Sequence, residues 1–322
     1  MVVLAAAVAL ILIWRRPPAD TASAHINDIA TLSQFLLVHM ISLEKSRSTH
    51  IISCFILAVS FAQALAGLSF PGLYRDGPWV RSAWLGNDVV TLVCAVPALA
   101  WSLIYSMRGS DRARLVWIGM LFYMFYNYAF YVFGAALNAL FIVYVFLMTS
   151  SAYALIFAFV SADSQHLRRI IPTKIVRRSV ASYMWLMALT IGSLWVAQWI
   201  SFVATGKAPQ LGGSDEGYRL VASLDLSIQV PALILGAIWL WRRRPWGYVV
   251  GTTLMVSGTV YMLVLLAFSP FAAKAGLPNP WQQAPLWVFY GTSCALASLA
   301  LFRSNRQTQA LSTGEPASVV KG

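Results

Sequence analysis

Residues 87–107 read NDVVTLVCAVPALAWSLIYSM, and residues 115–135 read LVWIGMLFYMFYNYAFYVFGA. Between them, at 108–114, stands RGSDRAR. Each flank is an apolar run of the length that an α-helix needs to cross a bilayer, about 20 residues. The connector carries three arginines, which the hydrocarbon rejects at a cost of several kcal/mol each. The whole stretch therefore reads as two spanning helices joined by a basic turn. The same alternation fills the rest of the chain, with spans expected near 51–70, 87–107, 115–135, 139–161, 181–203, 222–241, 246–268 and 286–302. The expected fold is all-α, a polytopic transmembrane helical bundle of about eight spans.

Composition agrees. The 322 residues are 59% apolar and only 11% charged, where soluble domains carry about 25% charge. The net charge of +12 would suit nucleic acid, but its placement does not. The basic residues cluster between the apolar runs, and no basic stripe with interleaved aromatics occurs, so a nucleic-acid partner is not expected.

The loops set an orientation. Lys45 and Arg47 precede the first span, Arg108, Arg112 and Arg114 follow the second, and Arg168, Arg169, Lys174, Arg177 and Arg178 follow the fourth. Arg242, Arg243 and Arg244 follow the sixth, and Arg303, Arg306 and Lys321 follow the eighth. The opposite side has only Arg75, Arg81, Lys207, Arg219 and Lys274. The positive-inside rule places the first set, and both main termini, in the cytoplasm. Trp79, Trp84, Trp281 and Trp287 on the other side suit an interfacial aromatic belt. The expected location is the cytoplasmic membrane, with lipids as the first partner.

The ends are less regular. Residues 1–14 are apolar but short for a span, and no basic segment precedes them as in a standard signal peptide. Residues 26–43 suit an amphipathic surface helix. Two readings of the first 40 residues stay open, a short ninth span or a start assigned too early with Met40 as the true one. The expected organisation is an N-terminal segment 1–49, a four-helix half 50–161, a basic linker 162–180, a second half 181–303 and a disordered tail 304–322.

The halves rest on an internal likeness. Residues 96–108, VPALAWSLIYSMR, and 230–242, VPALILGAIWLWR, share Val, Pro, Ala, Leu, Ile and Arg without a gap. Four spans is an even number, so such halves would run parallel, about an axis along the membrane normal. Chance similarity between apolar strings is the competing explanation.

Cofactor and catalytic chemistry find no purchase. Cys54, Cys94 and Cys294 lie singly in apolar runs and read as small packing residues. His25, His39, His50 and His166 form no inward-facing pair, and no Lys lies mid-span, so neither haem nor retinal is expected. No metal-ligand, nucleophile or phosphate-cradle motif occurs.

What remains are polar residues inside spans, the default place to look for function in a membrane. Span 2 carries Asp88, Thr91, Ala95, Ala98, Ser102 and Tyr105 at steps of three and four. Span 3 carries Tyr123, Asn127, Tyr131, Gly134 and Asn138, with Tyr126 and Tyr128 beside them. Span 6 offers Asp225, Gln229, Ala232 and Gly236, span 7 offers Thr253, Ser257 and Tyr261, and span 1 offers Ser60, Gln63 and Gly67. Such faces serve helix packing or line a polar cavity. Asp88 and Asp225 are expected at the outer ends of their spans, where a carboxylate caps free N–H groups or takes a cation at a cavity mouth. Pro97 and Pro231 interrupt their helices, each freeing a carbonyl one turn earlier.

The stretches 224–248, LDLSIQVPALILGAIWLWRRRPWGY, and 126–145, YNYAFYVFGAALNALFIVYV, resemble uncharacterised multi-pass membrane proteins of bacteria. That resemblance covers the eight spans and implies a bacterial cytoplasmic membrane, with no activity attached. The leading expectation is a small-molecule or ion transporter with a polar cavity between the halves, lined by Asp88, Asp225, Gln229, Tyr123, Asn127 and Tyr131. A non-catalytic scaffold or sensor subunit and a membrane-embedded lipid enzyme are the alternatives.

Overall fold

The computed structural model describes residues 28–70, 72–161, 172–207 and 215–313, with side chains described for 48–70, 72–161, 172–207 and 217–303. The regular elements are α1 (Asp28–Ser69), α2 (Pro78–Val90), α3 (Val96–Met107), α4 (Asp111–Gly134), α5 (Phe141–Val160), α6 (Lys174–Thr205), α7 (Asp215–Leu224), α8 (Val230–Trp241), α9 (Pro245–Lys274) and α10 (Ala284–Thr313). Two π-helical turns, Thr91–Ala95 and Asp225–Gln229, join α2 to α3 and α7 to α8. No strand occurs among the described residues. Eight helical runs there are long and apolar enough to cross a membrane, which makes this a multi-pass membrane protein: Ser48–Ser69, Pro78–Met107, Asp111–Gly134, Phe141–Val160, Lys174–Thr205, Gly217–Trp241, Pro245–Lys274 and Ala284–Arg303.

The helix ends have local causes. Pro78 sits at the first turn of α2 after Gly77, where its missing N–H costs nothing. The Ser110 hydroxyl accepts the Ala113 N–H at the start of α4, and Asp111 adds negative charge to that positive end. α6 stops at Gly206, whose φ of +68° suits glycine. α9 stops at Gly276, φ +72°, where the Leu277 N–H returns to the Ala272 carbonyl.

Two helices form the core. In an apolar 18-residue stretch of α4, 83% of the residues are buried within the protein, and in that of α9 61%, while no other span's stretch exceeds 39%. The remaining spans turn broad faces outward, as lipid contact allows. α4 packs on α3 and α5, α5 on α1, and α1 on α2 and α3. Among the later helices α9 packs on α8 and α10, and α6 on α8 and α10. The two groups meet where α9 packs on α2 and α4, and where α7 packs on α4. Glycines permit the close approach: a Cβ at Gly86 would lie 2.8 Å from the Ala267 backbone, and one at Gly119 would lie 2.8 Å from Val256.

Some expected boundaries move. The second span begins at Pro78 rather than near 87, so of the expected long loop 71–86 only a short strap, described at 72–77, precedes it. The segment 28–43, expected as a separate surface helix, continues without a break into the first span. The tail expected to be disordered from Ser304 remains helical to Thr313. The readings of residues 1–27, of the linker's 162–171 and of 314–322 lie outside the described residues.

Candidate functional site

Asp88 is not at the N-terminal end of its helix. It lies in the third turn of α2, far from Gly77, and is 0% exposed. The capping reading therefore fails for it, because N–H groups this deep in a helix are already bonded along the helix. Its partners are side chains. The Tyr74 hydroxyl donates to Oδ2 at 2.6 Å, and the Tyr131 hydroxyl to Oδ1 at 2.8 Å. The Gln63 amide donates to Oδ1 at 3.1 Å and to the Tyr74 hydroxyl oxygen at 3.2 Å. Tyr128 in turn holds the Gln63 carbonyl oxygen at 3.0 Å. α1, the strap and α4 thus each send a group to this single carboxyl of α2. Burial, then the neighbouring Asp88 carboxyl, pushes the Tyr74 hydroxyl well above the usual tyrosine range. No ion-pair partner reaches Asp88 among the described residues.

The space around this cage is full. A Cβ on Gly67 would fall 2.0 Å from Asp88 Oδ2 and 2.5 Å from the Tyr74 hydroxyl. The carboxyl is seated against the α1 backbone, and only glycine fits opposite it. Around it the rings of Trp84 and Tyr144 lie 4.5 and 4.9 Å from that of Tyr131. Trp84 Nε1 and the Tyr144 hydroxyl are buried with no hydrogen-bond partner.

One residue earlier, Asn87 begins a second set of contacts. Its amide donates to Asn127 Oδ1 at 2.6 Å, and its own Oδ1 accepts the Tyr123 hydroxyl at 3.2 Å. The Asn127 amide nitrogen is buried without a partner. The expected span 3 stripe of Tyr123, Asn127 and Tyr131 is therefore real as a buried polar face, and it meets α2.

Asp225 stands elsewhere. It opens the second π-helical turn and is half-buried. Tyr126 donates to its Oδ1, and Trp195 Nε1 donates to its Oδ2 at 2.8 Å. Tyr218 fixes this corner by donating to the Trp195 carbonyl at 2.8 Å. Asp225 and Asp88 have no hydrogen-bond partner in common. Tyr126 and Tyr131 are five residues apart on α4, so they point about 140° apart. The two acids thus lie on different sides of α4, and the structure does not join them in the shared cavity expected from the sequence. A shallow concavity at the surface is lined by Asn279, Pro280, Trp281 and Gln282.

Pro97 and Pro231 each sit second after a π-helical turn, and both are exposed. The Val96 N–H reaches back to the Thr91 carbonyl, and the Val230 N–H to the Asp225 carbonyl. Each wide turn absorbs the bond and the space that a proline ring denies an α-helix. The prolines face outward, away from the Asp88 cage. Gln229, the last residue of its turn, is half-buried.

The extra residue in the first turn also shifts the burial stripe. Asp88, Thr91, Ala95 and Ser102 are buried, but the α-periodic expectation fails at Ala98 and Tyr105, which give way to Val96, Leu99 and Leu103. Tyr74 and Trp195, the strongest partners of the two acids outside α4, were not singled out by sequence. Tyr74 stands in a short strap between Gly72 and Gly77, where a lone Tyr carries no periodic signal. Trp195 lies in α6, whose apolar 18-residue stretch is only 17% buried.

No group of three or more His, Cys, Asp or Glu side chains placed to hold a metal occurs among the described residues. Comparison with protein families, with curated proteins and with solved structures finds no match for this chain.

Proposed function

We propose that this protein is a transporter for a small molecule or an ion, and that Asp88 is the cation-coupling residue. The observation that carries the reading is the Asp88 cage, an intramembrane carboxyl completely buried, held by three donors and lacking a cationic partner. Burying such a group costs several kcal/mol unless it is well paired, so a packing role alone is an expensive use of it. Tyr123 and Asn127 extend the polar surface beside Asp88 in this reading, while Asp225 and Gln229 form a separate polar spot on another side of α4. The two π-helical turns fall at matching places before Val96-Pro97 and Val230-Pro231, which supports two parallel four-helix halves, 50–161 and 181–303. The arginine-rich turns face the cytoplasm by the positive-inside rule, with a bacterial cytoplasmic membrane as the setting.

The test begins with ligand discovery. A compound that binds the folded state raises its melting temperature. Compounds found this way in detergent are then offered to proteoliposomes under imposed proton or sodium gradients. Gradient-driven accumulation that Asp88→Asn abolishes supports the proposal. Accumulation indifferent to both the gradients and Asp88→Asn refutes it. A second reading, a non-catalytic scaffold or sensor subunit, draws on the filled interior around α4 and α9, and predicts a stable complex with a partner membrane protein and no flux.

A further inference from the structure

The transport reading leaves the coupling ion open, and the inference here rests on that reading. We propose that the Asp88 carboxyl is a proton-binding site, closed from the strap side by Tyr74. The geometry leaves no room for a metal ion. A hard cation such as Ca²⁺ gathers six to eight oxygen ligands at about 2.3–2.6 Å. Here both carboxyl oxygens face hydrogen donors instead, two hydroxyls and an amide nitrogen. The Gln63 carbonyl oxygen, which a metal would need, is held by Tyr128. Even one carbon atom on Gly67 would fall 2.0 Å from Oδ2. A proton needs no such space.

The groups that face Asp88 can also receive a proton, because the Tyr74 or Tyr131 hydroxyl can turn from donor to acceptor when the carboxyl is protonated. The strap presents Tyr74, α4 presents Tyr123, Tyr128 and Tyr131, α5 presents Tyr144, and α1 presents Gln63. Arg81 lies two turns earlier on the same helix, and α9 places no acid or base against the carboxyl among the described contacts. Protonation would therefore change the charge of the cage by one without disturbing an ion pair.

The strap is built to close this site. Tyr74 is 4% exposed, while Gly72, Arg75 and Gly77 on either side are exposed. Asp76 Oδ1 accepts the Ala136 N–H at 2.8 Å, tying the strap to the turn after α4. Opening the strap would break the Tyr74 bond to Asp88 and expose the carboxyl in one movement.

The test is infrared difference spectroscopy on the full chain in liposomes, titrated with protons alone and read without any transported compound. A protonated-carboxyl C=O band that appears on acidification and is missing in Asp88→Asn is the expected result. Replacing choline chloride by sodium chloride should leave its midpoint unchanged. Tyr74→Phe keeps the fold and the carboxyl but removes one donor, so the band frequency should shift, and its exchange in heavy water should quicken several-fold. The proposal is overturned if no titrating band distinguishes the parent from Asp88→Asn, or if sodium displaces the midpoint. It is likewise overturned if Tyr74→Phe changes neither frequency nor exchange. A titrating band with no substrate flux in any assay would sink the transport reading while leaving the proton site standing.

Discussion

Gly67→Ala is a one-carbon change with a calculable consequence. The new methyl would lie 2.0 Å from Asp88 Oδ2 and 2.5 Å from the Tyr74 hydroxyl, so the carboxyl must move off α1. The 2.6 Å bond from Tyr74 breaks first. Losing a hydrogen bond to a charged or buried carboxyl costs about 1.5–3 kcal/mol. Overpacking adds about 1–3 kcal/mol. Against this, alanine improves on glycine by at most about 1 kcal/mol within a helix. The net expectation is a loss of about 1.5–5 kcal/mol. Gly72→Ala, where nothing lies within 4 Å of the added carbon, is the control and should be neutral. The assay is reversible unfolding in mixed micelles, run as a double-mutant cycle with Asp88→Ala. With the carboxyl gone only the Tyr74 hydroxyl, 2.5 Å away, still meets the new methyl, and that side chain no longer has the carboxyl to hold it there, so in that background Gly67→Ala should cost much less. A coupling of about 1–3 kcal/mol between the positions is the signature of contact. Equal losses in both backgrounds would refute the seating of Asp88 against Gly67.

Other sites give independent tests. Gly247→Ala would press a carbon to within 2.2 Å of the Leu240 backbone nitrogen, so it should destabilise by about 1–3 kcal/mol or more, whereas Gly251→Ala, at ordinary contact with Leu240 and Met184, should be neutral or better in the same unfolding assay. Arg177, 4% exposed, donates to the carbonyls of Leu240 and Trp241 at 3.2 and 2.6 Å; Arg177→Leu should cost about 2–4 kcal/mol, with Arg177→Lys recovering part of it, and equal melting of all three proteins would contradict the bonding. Asn87→Leu strands the Asn127 carbonyl and should lower stability by about 1–3 kcal/mol, which Asn127→Leu in the same chain should partly relieve. The raised Tyr74 hydroxyl predicts a pH effect: an unfolded tyrosine ionises near pH 10 while the folded one holds its proton, so stability falls as pH rises above about 10. Tyr74→Phe should flatten that alkaline slope, and an unchanged slope would count against the burial.

The eight spans were legible because hydropathy and loop charge both report on lipid, and neither needs tertiary detail. The start of the second span was not, because Arg81, Ser82, Gly86, Asn87 and Asp88 depress the local hydropathy. Hydropathy cannot distinguish a polar side chain in water from one buried with partners. The same blindness turned Asp88 into an expected cap, when it is the centre of a cage. Gln63 and Tyr131 were visible as polar residues in apolar runs, but their convergence on one carboxyl depends on how α1, α2 and α4 meet. Tyr74 enters from outside any periodic segment. The span 2 stripe drifted because a 3.6-residue period was carried through a turn that holds one residue more.

That wider turn has a consequence for which changes of sequence the protein can absorb. A helix advances by about 100° per residue. Removing one residue from 91–95 would let the segment relax to ordinary α-geometry while α3 keeps its seat on α1 and α4. Everything before the deletion would then revolve by about a quarter to a third of a circle. Asp88 would swing away from Gln63, Tyr74 and Tyr131, and Gly86 would be replaced at the Ala267 contact by a bulkier neighbour. The segment behaves as a spacer whose length, more than its letters, sets the aim of the acid. Drift among apolar residues on its outward side should be tolerated there, and a change of a single residue in count should not.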